Sequence, residues 1–158
     1  MTGLISTAFK TDVAAMFVSR YSNCIIRVFS GARPNGVEQA ETQNGAVRAG
    51  VVTNKGLPVG FAGSELQLWA AGPYAVNDPT QNWILTPSAS VDATWFRIVA
   101  DPNDDGGVNY GAYRFDGDIG DGSDTENPPE LIVPSPTLVF GTPVGPLSFF
   151  YTVPPISS

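Results

Sequence analysis

The side chains best suited to chemistry lie in one acidic run, "DGDIGDGSDTE", which extends from Asp116 to Glu126. Clustered carboxylates can ligate calcium, but an EF-hand loop needs acids at positions 1, 3 and 5, glycine at 6 and glutamate at 12. A loop that begins at Asp116 has Asp121 at the glycine position and ends on Asn127, so it does not fit. We interpret the run as an exposed acidic turn, and a looser calcium site built from several loops is the alternative. The candidate ligands of that site are Asp116, Asp118, Asp121 and Asp124.

The sequence lacks the residues that the commonest catalytic sites need. It has no histidine and a single cysteine, Cys24, so Ser-His-Asp sites, Cys-His sites and the usual zinc sites cannot be built. No glycine motif for binding phosphate occurs. A glycosidase needs two carboxyl groups about 5 to 10 Å apart in a cleft, whereas these acids lie among glycines in a predicted loop. We therefore expect a protein that is not an enzyme, with no catalytic residue and no cofactor.

One helix is predicted near the N-terminus, from Ser6 to Arg20. Apolar side chains recur there at helical spacing, and Ser6 or Thr7 can cap the first turn. Such a helix either covers an open end of its own β core or acts as an amphipathic arm for a membrane or a partner. We favour the first interpretation. The apolar positions are Phe9, Val13, Met16 and Phe17.

Short apolar runs, each ended by glycine, proline or another turn residue, predict strands along the rest of the chain. The polar stretch between Gly31 and Asn54 is expected to be an excursion without packed structure. In "VDATWFRIVADP" both alternating faces carry aromatic residues, which indicates a central strand covered on both sides, and "VNYGAYRFDG" is expected to be its hairpin partner. Asp116 and Gly117 are expected to end that partner strand in a turn. The other predicted strands are "CIIRVFSG", "ELQLWAAG", "ELIVP", "TLVFG" and "LSFFYTVP".

These elements predict a mainly β fold, a single-domain β-sandwich or jelly roll with a short N-terminal helix. A chain of 158 residues has the size of one domain. We assign residues 1–22 to the N-terminal arm and helix and residues 23–158 to the β domain.

Charge and apolar patterning limit the partners of this chain. The net charge is −7, and nine of the fifteen acidic residues lie between Asp101 and Glu130 beside a single basic residue, Arg114. An acidic region repels phosphate, so nucleic acid is not an expected partner. No apolar run is long enough for a membrane span, and the first residues do not resemble a signal peptide. We expect a soluble protein made in a reducing cytoplasm, with Cys24 as an inert thiol in a buried strand.

Aromatic side chains suggest carbohydrate binding as a secondary hypothesis. Most of them belong to alternating strands and are expected to pack in the core. Tyr74 and Trp83, in the turn-rich "GPYAVNDPTQNW", are the two that we expect at the surface.

Four segments resemble a group of small virion proteins of tailed bacteriophages. They are "IIRVFSGARPNGVEQAE", "SVDATWFRIVADP", "YRFDGDIGDGSD" and "TLVFGTPVGPLSFFYTVP", in the same order and at similar spacing. The similarity extends roughly from Thr7 to Pro154, apart from "DTENPPELIVPSP" and "NGAVRAGVVTNKG", which depart from the pattern. Its motifs are patterns of strands and turns, and they do not form a set of catalytic side chains.

The resemblance implies a virion structural protein, and a capsid decoration or cement protein on the exterior of the particle is the leading interpretation. Its implied partners are the major capsid protein and copies of itself, for which a homotrimer would suit. A tail or head-tail connector component and a carbohydrate- or receptor-binding module are the alternatives. We expect docking through the N-terminal arm and the C-terminal strand. The docking candidates are Phe9, Val13, Phe17, Phe149, Phe150 and Tyr151.

Overall fold

A computed structural model describes residues 5–152 of the chain. Within them a single helix precedes nine strands, so the predicted mainly β domain with an N-terminal helix is confirmed. The elements are α1 (Thr7–Arg20), β1 (Ile25–Ser30), β2 (Val47–Asn54), β3 (Leu68–Ala71), β4 (Tyr74–Asn77), β5 (Trp83–Pro87), β6 (Trp95–Val99), β7 (Arg114–Gly120), β8 (Leu131–Ile132) and β9 (Ser148–Thr152).

Helix α1 begins and ends where its capping residues predict. The Ser6 hydroxyl accepts a hydrogen bond from the backbone N–H of Phe9 at 3.2 Å, and the Tyr21 N–H donates to the carbonyl of Phe17 at 3.0 Å. Ala14 is buried, and the helix packs on the side of β3 and β4. The helix therefore covers its own β core. In residues 5–152 there is no helix of the length and apolarity that crossing a membrane requires.

The strands form one curled, mixed sheet in the order β3-β4-β9-β8-β7-β6-β1-β2-β5. Neighbouring strands are antiparallel except β7 and β8, which are parallel. The curl brings edge strand β5 against the segment that leads into β9. There the Leu147 N–H donates to the carbonyl of Trp83 at 3.0 Å, and Leu85 pairs with Val144. The inner face of the sheet is thereby closed around one large core.

Alternation along the central strands fills that core. Phe96 on β6 packs edge-on against Phe149 on β9, with ring centroids 6.1 Å apart. Every residue of β6 is buried, which confirms that it is a central strand covered on both faces. Its predicted pairing with the following strand, β7, is also confirmed. The thiol of Cys24 is buried in the same core, and burial raises its pKa to about 12.

Strand β2 corrects the predicted excursion, which ends at Ala46 and not at Asn54. The rest of it is not free of packed structure either, because Glu41 and Ala46 are buried. The buried residues of β2 are Ala49, Gly50, Val52 and Thr53, none of which is a large hydrophobic residue, so the segment lacks an obvious apolar period. Gly50 lets β5 approach closely, since a Cβ there would lie 2.7 Å from the carbonyl oxygen of Thr86. Cross-strand pairing on both sides makes this a strand, and pairing partners are not visible in a local pattern.

Two further predictions about strands were wrong. Asp116 and Gly117 do not end β7 in a turn, because pairing with β6 continues through both residues and the strand ends at Gly120. The segment "TLVFG" is not a strand: Thr137 makes one isolated bridge, while Val139 and Phe140 are 55% and 68% exposed. Local propensity is overridden in both places, by continued pairing at Asp116 and Gly117 and by the lack of a pairing strand along "TLVFG".

Candidate docking surface

The acidic run divides between a buried ion pair and exposed turns. Asp116, on β7, accepts two hydrogen bonds from the guanidinium of Arg97, at 2.7 and 3.0 Å. The side chains of this pair are 5% and 0% exposed. Asp116 therefore serves as the counter-charge of a buried arginine, and its oxygens are occupied by that role.

The other three candidate calcium ligands are exposed, as the acidic-turn interpretation predicts. Asp118 forms a surface ion pair with Arg33. Asp121 accepts a hydrogen bond from the N–H of Ser123, and hydrogen bonding to Ser123 lowers the pKa of this carboxyl. The Asp124 carboxylate likewise accepts hydrogen bonds from the backbone N–H groups of Glu126 and Asn127. In the part of the chain that the structure describes, no group of three or more acidic, histidine or cysteine side chains is arranged to hold a metal ion.

A layer of buried arginines lies on the outer face of the central strands, and the sequence reasoning missed it. Arg27, Arg97 and Arg114 are 7%, 0% and 5% exposed. The segments 31–46 and 100–113 cover them and supply acceptors, including Asp104, which binds Arg114 at 2.6 and 2.7 Å. Hydrogen bonding to Arg114 lowers the pKa of Asp104 and raises that of the guanidinium. The sequence does contain a signal for buried arginines, because a single arginine lies inside each of the apolar runs "IIRVF" and "WFRIV".

Three of the predicted docking residues face one another inside the molecule. The Phe17 ring lies 5.2 Å from Tyr151 and 6.5 Å from Phe149, and Phe149 is 1% exposed. These rings attach α1 to the β core, so Phe149 has no free surface for a partner. Val13 is partly buried, whereas Phe9 is 54% exposed on the outer side of the helix.

Phe150 points the other way and belongs to a row of exposed or partly exposed apolar side chains across three strands. Trp69 on β3 pairs with Val76 on β4, which pairs with Phe150 on β9. The ring of Tyr74 lies 4.9 Å from that of Phe150. Trp69, Tyr74 and Phe150 are 51%, 38% and 49% exposed. We call these four residues, Trp69, Tyr74, Val76 and Phe150, the aromatic face.

The surface tryptophan is therefore Trp69 and not Trp83. Trp83 is 1% exposed, and its indole N–H donates to the side-chain oxygen of Gln81 at 3.0 Å. Tyr74 is exposed as predicted. Sequence reasoning placed Trp69 in the core because it belongs to a strand, but its direction there depends on which face of an edge strand is covered.

Comparisons with protein families, curated proteins and solved structures gave no match. The geometry alone therefore describes what the aromatic face can do. Beside Phe150 it adjoins an open cavity of about 640 Å³ lined by Pro128, Pro129 and Glu130 among others. Glu130 is partly buried, and this burial raises the pKa of its carboxyl. The face offers apolar contact area with an acidic rim, which is suited to binding.

Proposed function

We propose that this chain is a non-enzymatic structural protein of a tailed-phage particle, a capsid decoration or cement protein that docks on the assembled shell. The observation that supports this proposal is the aromatic face, in which three large rings lie exposed on paired strands. The resemblance of four segments to small virion proteins of tailed bacteriophages is the reason for proposing a phage particle. The major capsid protein is the proposed partner.

The aromatic face has the chemistry of an interface centre. Tryptophan and tyrosine are the residues that most often carry binding energy when a partner excludes water from them. The strands already fix the backbone of Trp69, Tyr74 and Phe150, so only side-chain freedom is lost when a partner covers them. Each docked copy needs only modest affinity, because contacts repeated among neighbouring copies on a lattice multiply through avidity. Stabilisation of the shell follows from burial of this area, without catalysis.

Binding to purified capsids that lack the protein tests the proposal. The double variant Trp69→Ser/Phe150→Ser removes two rings of the aromatic face and is expected to lower occupancy at least about tenfold. The matched control is Phe61→Ser/Tyr110→Ser, because Phe61 and Tyr110 are also exposed, at 58% and 73%, but lie elsewhere. Full occupancy by the first variant would refute docking through this face.

The number of copies per particle distinguishes the shell from other positions. Hundreds of copies would indicate a decoration protein, whereas about six or twelve would indicate a ring in the tail or connector. Quantitative mass spectrometry of purified particles supplies this count.

Carbohydrate binding is the second candidate function, and the exposure of Trp69 beside Tyr74 favours it. Flat aromatic rings stack on the apolar faces of sugar rings, with carboxylates such as Glu130 at the rim as hydrogen-bond acceptors. A glycan array probed with the wild-type chain and with Trp69→Ser tests it. Absence of any signal from the wild-type chain would remove this candidate.

A further inference from the structure

The buried arginine layer and the half-exposed Arg48 beside it contain one more guanidinium than carboxylates. Arg97 pairs with Asp116, Arg114 with Asp104, and Arg48 with Glu41. Among residues 5–152, Arg27 makes no ion pair of its own: its Nη2 donates to the carbonyl of Pro102 at 3.3 Å, and its buried Nη1 has no partner. Burial and the nearby charge of Arg48 lower the pKa of Arg27, although Glu41 acts against them. A positive charge is thus left in a poorly hydrated place.

One cross-strand row explains where the missing carboxylate would lie. Asp116, Arg97, Arg27, Val51 and Thr86 are successive partners across β7, β6, β1, β2 and β5. The row begins with a carboxylate that neutralises Arg97. Beyond Arg27 it continues with an apolar side chain and a hydroxyl. No acid follows Arg27 in this row as Asp116 follows Arg97.

The far end of this row forms the floor of an open cavity of about 570 Å³. Arg27 and Arg48 line it, together with the exposed hydroxyl residue Thr86. Its walls are apolar, and the exposed ring of Phe140 belongs to them. The cavity therefore combines two guanidinium groups and the hydroxyls of Thr86 and Ser88 with apolar contact area.

We propose that this cavity is a binding site for a carboxylate carried on an apolar group. A planar carboxylate matches a guanidinium group and can accept two parallel hydrogen bonds from it. The negative charge of the carboxylate balances the positive charge of Arg27. The exposed part of Arg48 and the Thr86 hydroxyl donate hydrogen bonds to the carboxylate, and the apolar group covers Val51 and Phe140. The carboxylate comes either from a free small acid or from an acidic side chain of a partner protein. The site lies at the β5 end of the strand order, whereas the aromatic face lies at the β3 end, so this inference does not depend on the proposed function.

Titration of the ¹⁵N-labelled full chain tests the site with two probes. Hydrocinnamate represents a free acid, and the capped peptide acetyl-Leu-Glu-Leu-amide represents a protein side chain. We expect saturable shifts confined to the amides of Val51, Thr86 and Gly141 and their neighbours. Tighter binding of hydrocinnamate assigns the site to a free acid, and tighter binding of the peptide assigns it to a partner protein. Absence of saturation by both probes would overturn the proposal.

Variants determine whether the two guanidinium groups are responsible. Arg27→Met and Arg48→Gln are each expected to weaken binding of the better probe at least about tenfold, as loss of a charge-assisted contact does. Arg48→Gln changes a half-exposed side chain and keeps the test valid if Arg27→Met does not fold. Arg33→Gln is the matched control, since Arg33 also forms a surface ion pair but lies outside the cavity. Equal weakening by Arg33→Gln would overturn the proposal, and so would equally tight binding of inorganic phosphate, which has no apolar group.

Discussion

Arg27 and Arg97 are direct cross-strand neighbours on β1 and β6, although both carry a positive charge. Like charges in this position destabilise a sheet unless other groups compensate them. Asp116, on the next strand, compensates the charge of Arg97 and accepts two hydrogen bonds from its guanidinium. The ring of Trp95 lies 5.7 Å from the same guanidinium. The outer face of the sheet therefore depends on a few buried ion pairs in addition to apolar packing.

We expect Asp116→Asn to lower the free energy of unfolding by about 3–5 kcal/mol, because it leaves the buried Arg97 without a counter-charge. Asp118→Asn is the matched control, two residues further along the same strand. Because its partner Arg33 is exposed, loss of the Asp118–Arg33 ion pair should lower the free energy of unfolding by less than about 1 kcal/mol. Urea unfolding of both variants measures the difference. Equal losses would contradict the structural role of the buried pair.

We expect Glu130→Gln to raise stability at neutral pH. Burial raises the folded-state pKa of this carboxyl, so the folded chain holds the proton more tightly than the unfolded chain does. Stability should then fall as the pH rises from the ordinary glutamate pKa, about 4.3, through the raised folded-state value. The substitution should remove this part of the pH dependence in thermal unfolding between pH 4 and pH 7.

Glu126→Gln is the control for that measurement, because it removes the same charge from an exposed side chain that lines the same cavity. If both variants change the pH dependence equally, net charge and not burial is the cause.

We expect Phe17→Ala to cost about 2 kcal/mol of stability, because the Phe17 ring joins α1 to Phe115, Phe149 and Tyr151. Phe9→Ala removes the same group from the exposed side of the helix and should change stability by no more than about 0.5 kcal/mol. Thermal unfolding compares the two. A cost at Phe9 equal to that at Phe17 would mean that the outer side of the helix is also packed.

Gly50→Ala should destabilise the chain by about 1–3 kcal/mol, because the added methyl group meets the backbone of β5 at Thr86. Gly36→Ala is the control, since a methyl group there meets no atom within 4 Å. Hydrogen exchange provides the local measurement: β2 and β5 amides should lose protection in the first variant and keep it in the second. Unchanged protection in Gly50→Ala would contradict the close approach of these strands.

Local sequence was sufficient for the elements whose signals are local. The cap at Ser6, the helical spacing of Phe9 to Phe17 and the alternation around Trp95 predicted α1, β6 and the pairing of β6 with β7. Exposure of Asp121, Asp124 and Glu126 also followed from the glycines and carboxylates around them, whereas burial of Asp116 did not. Each of these predicted features depends on residues close together in the chain, and a single sequence shows such residues directly.

Whatever depends on distant partners was decided by the tertiary structure. Strand β2 exists because β1 and β5 pair with it on both sides, and Trp69 is exposed because it points to the face of β3 opposite to buried Leu68. Arg27, Arg97 and Asp116 meet only across three strands. The sequence by itself determined which segments are helical or extended and where charge accumulates, because propensity and alternation act locally. Only the curled sheet decided which face each side chain joins, and with it the aromatic face and the arginine-lined cavity, because burial and ion pairing are set by residues far apart in the chain.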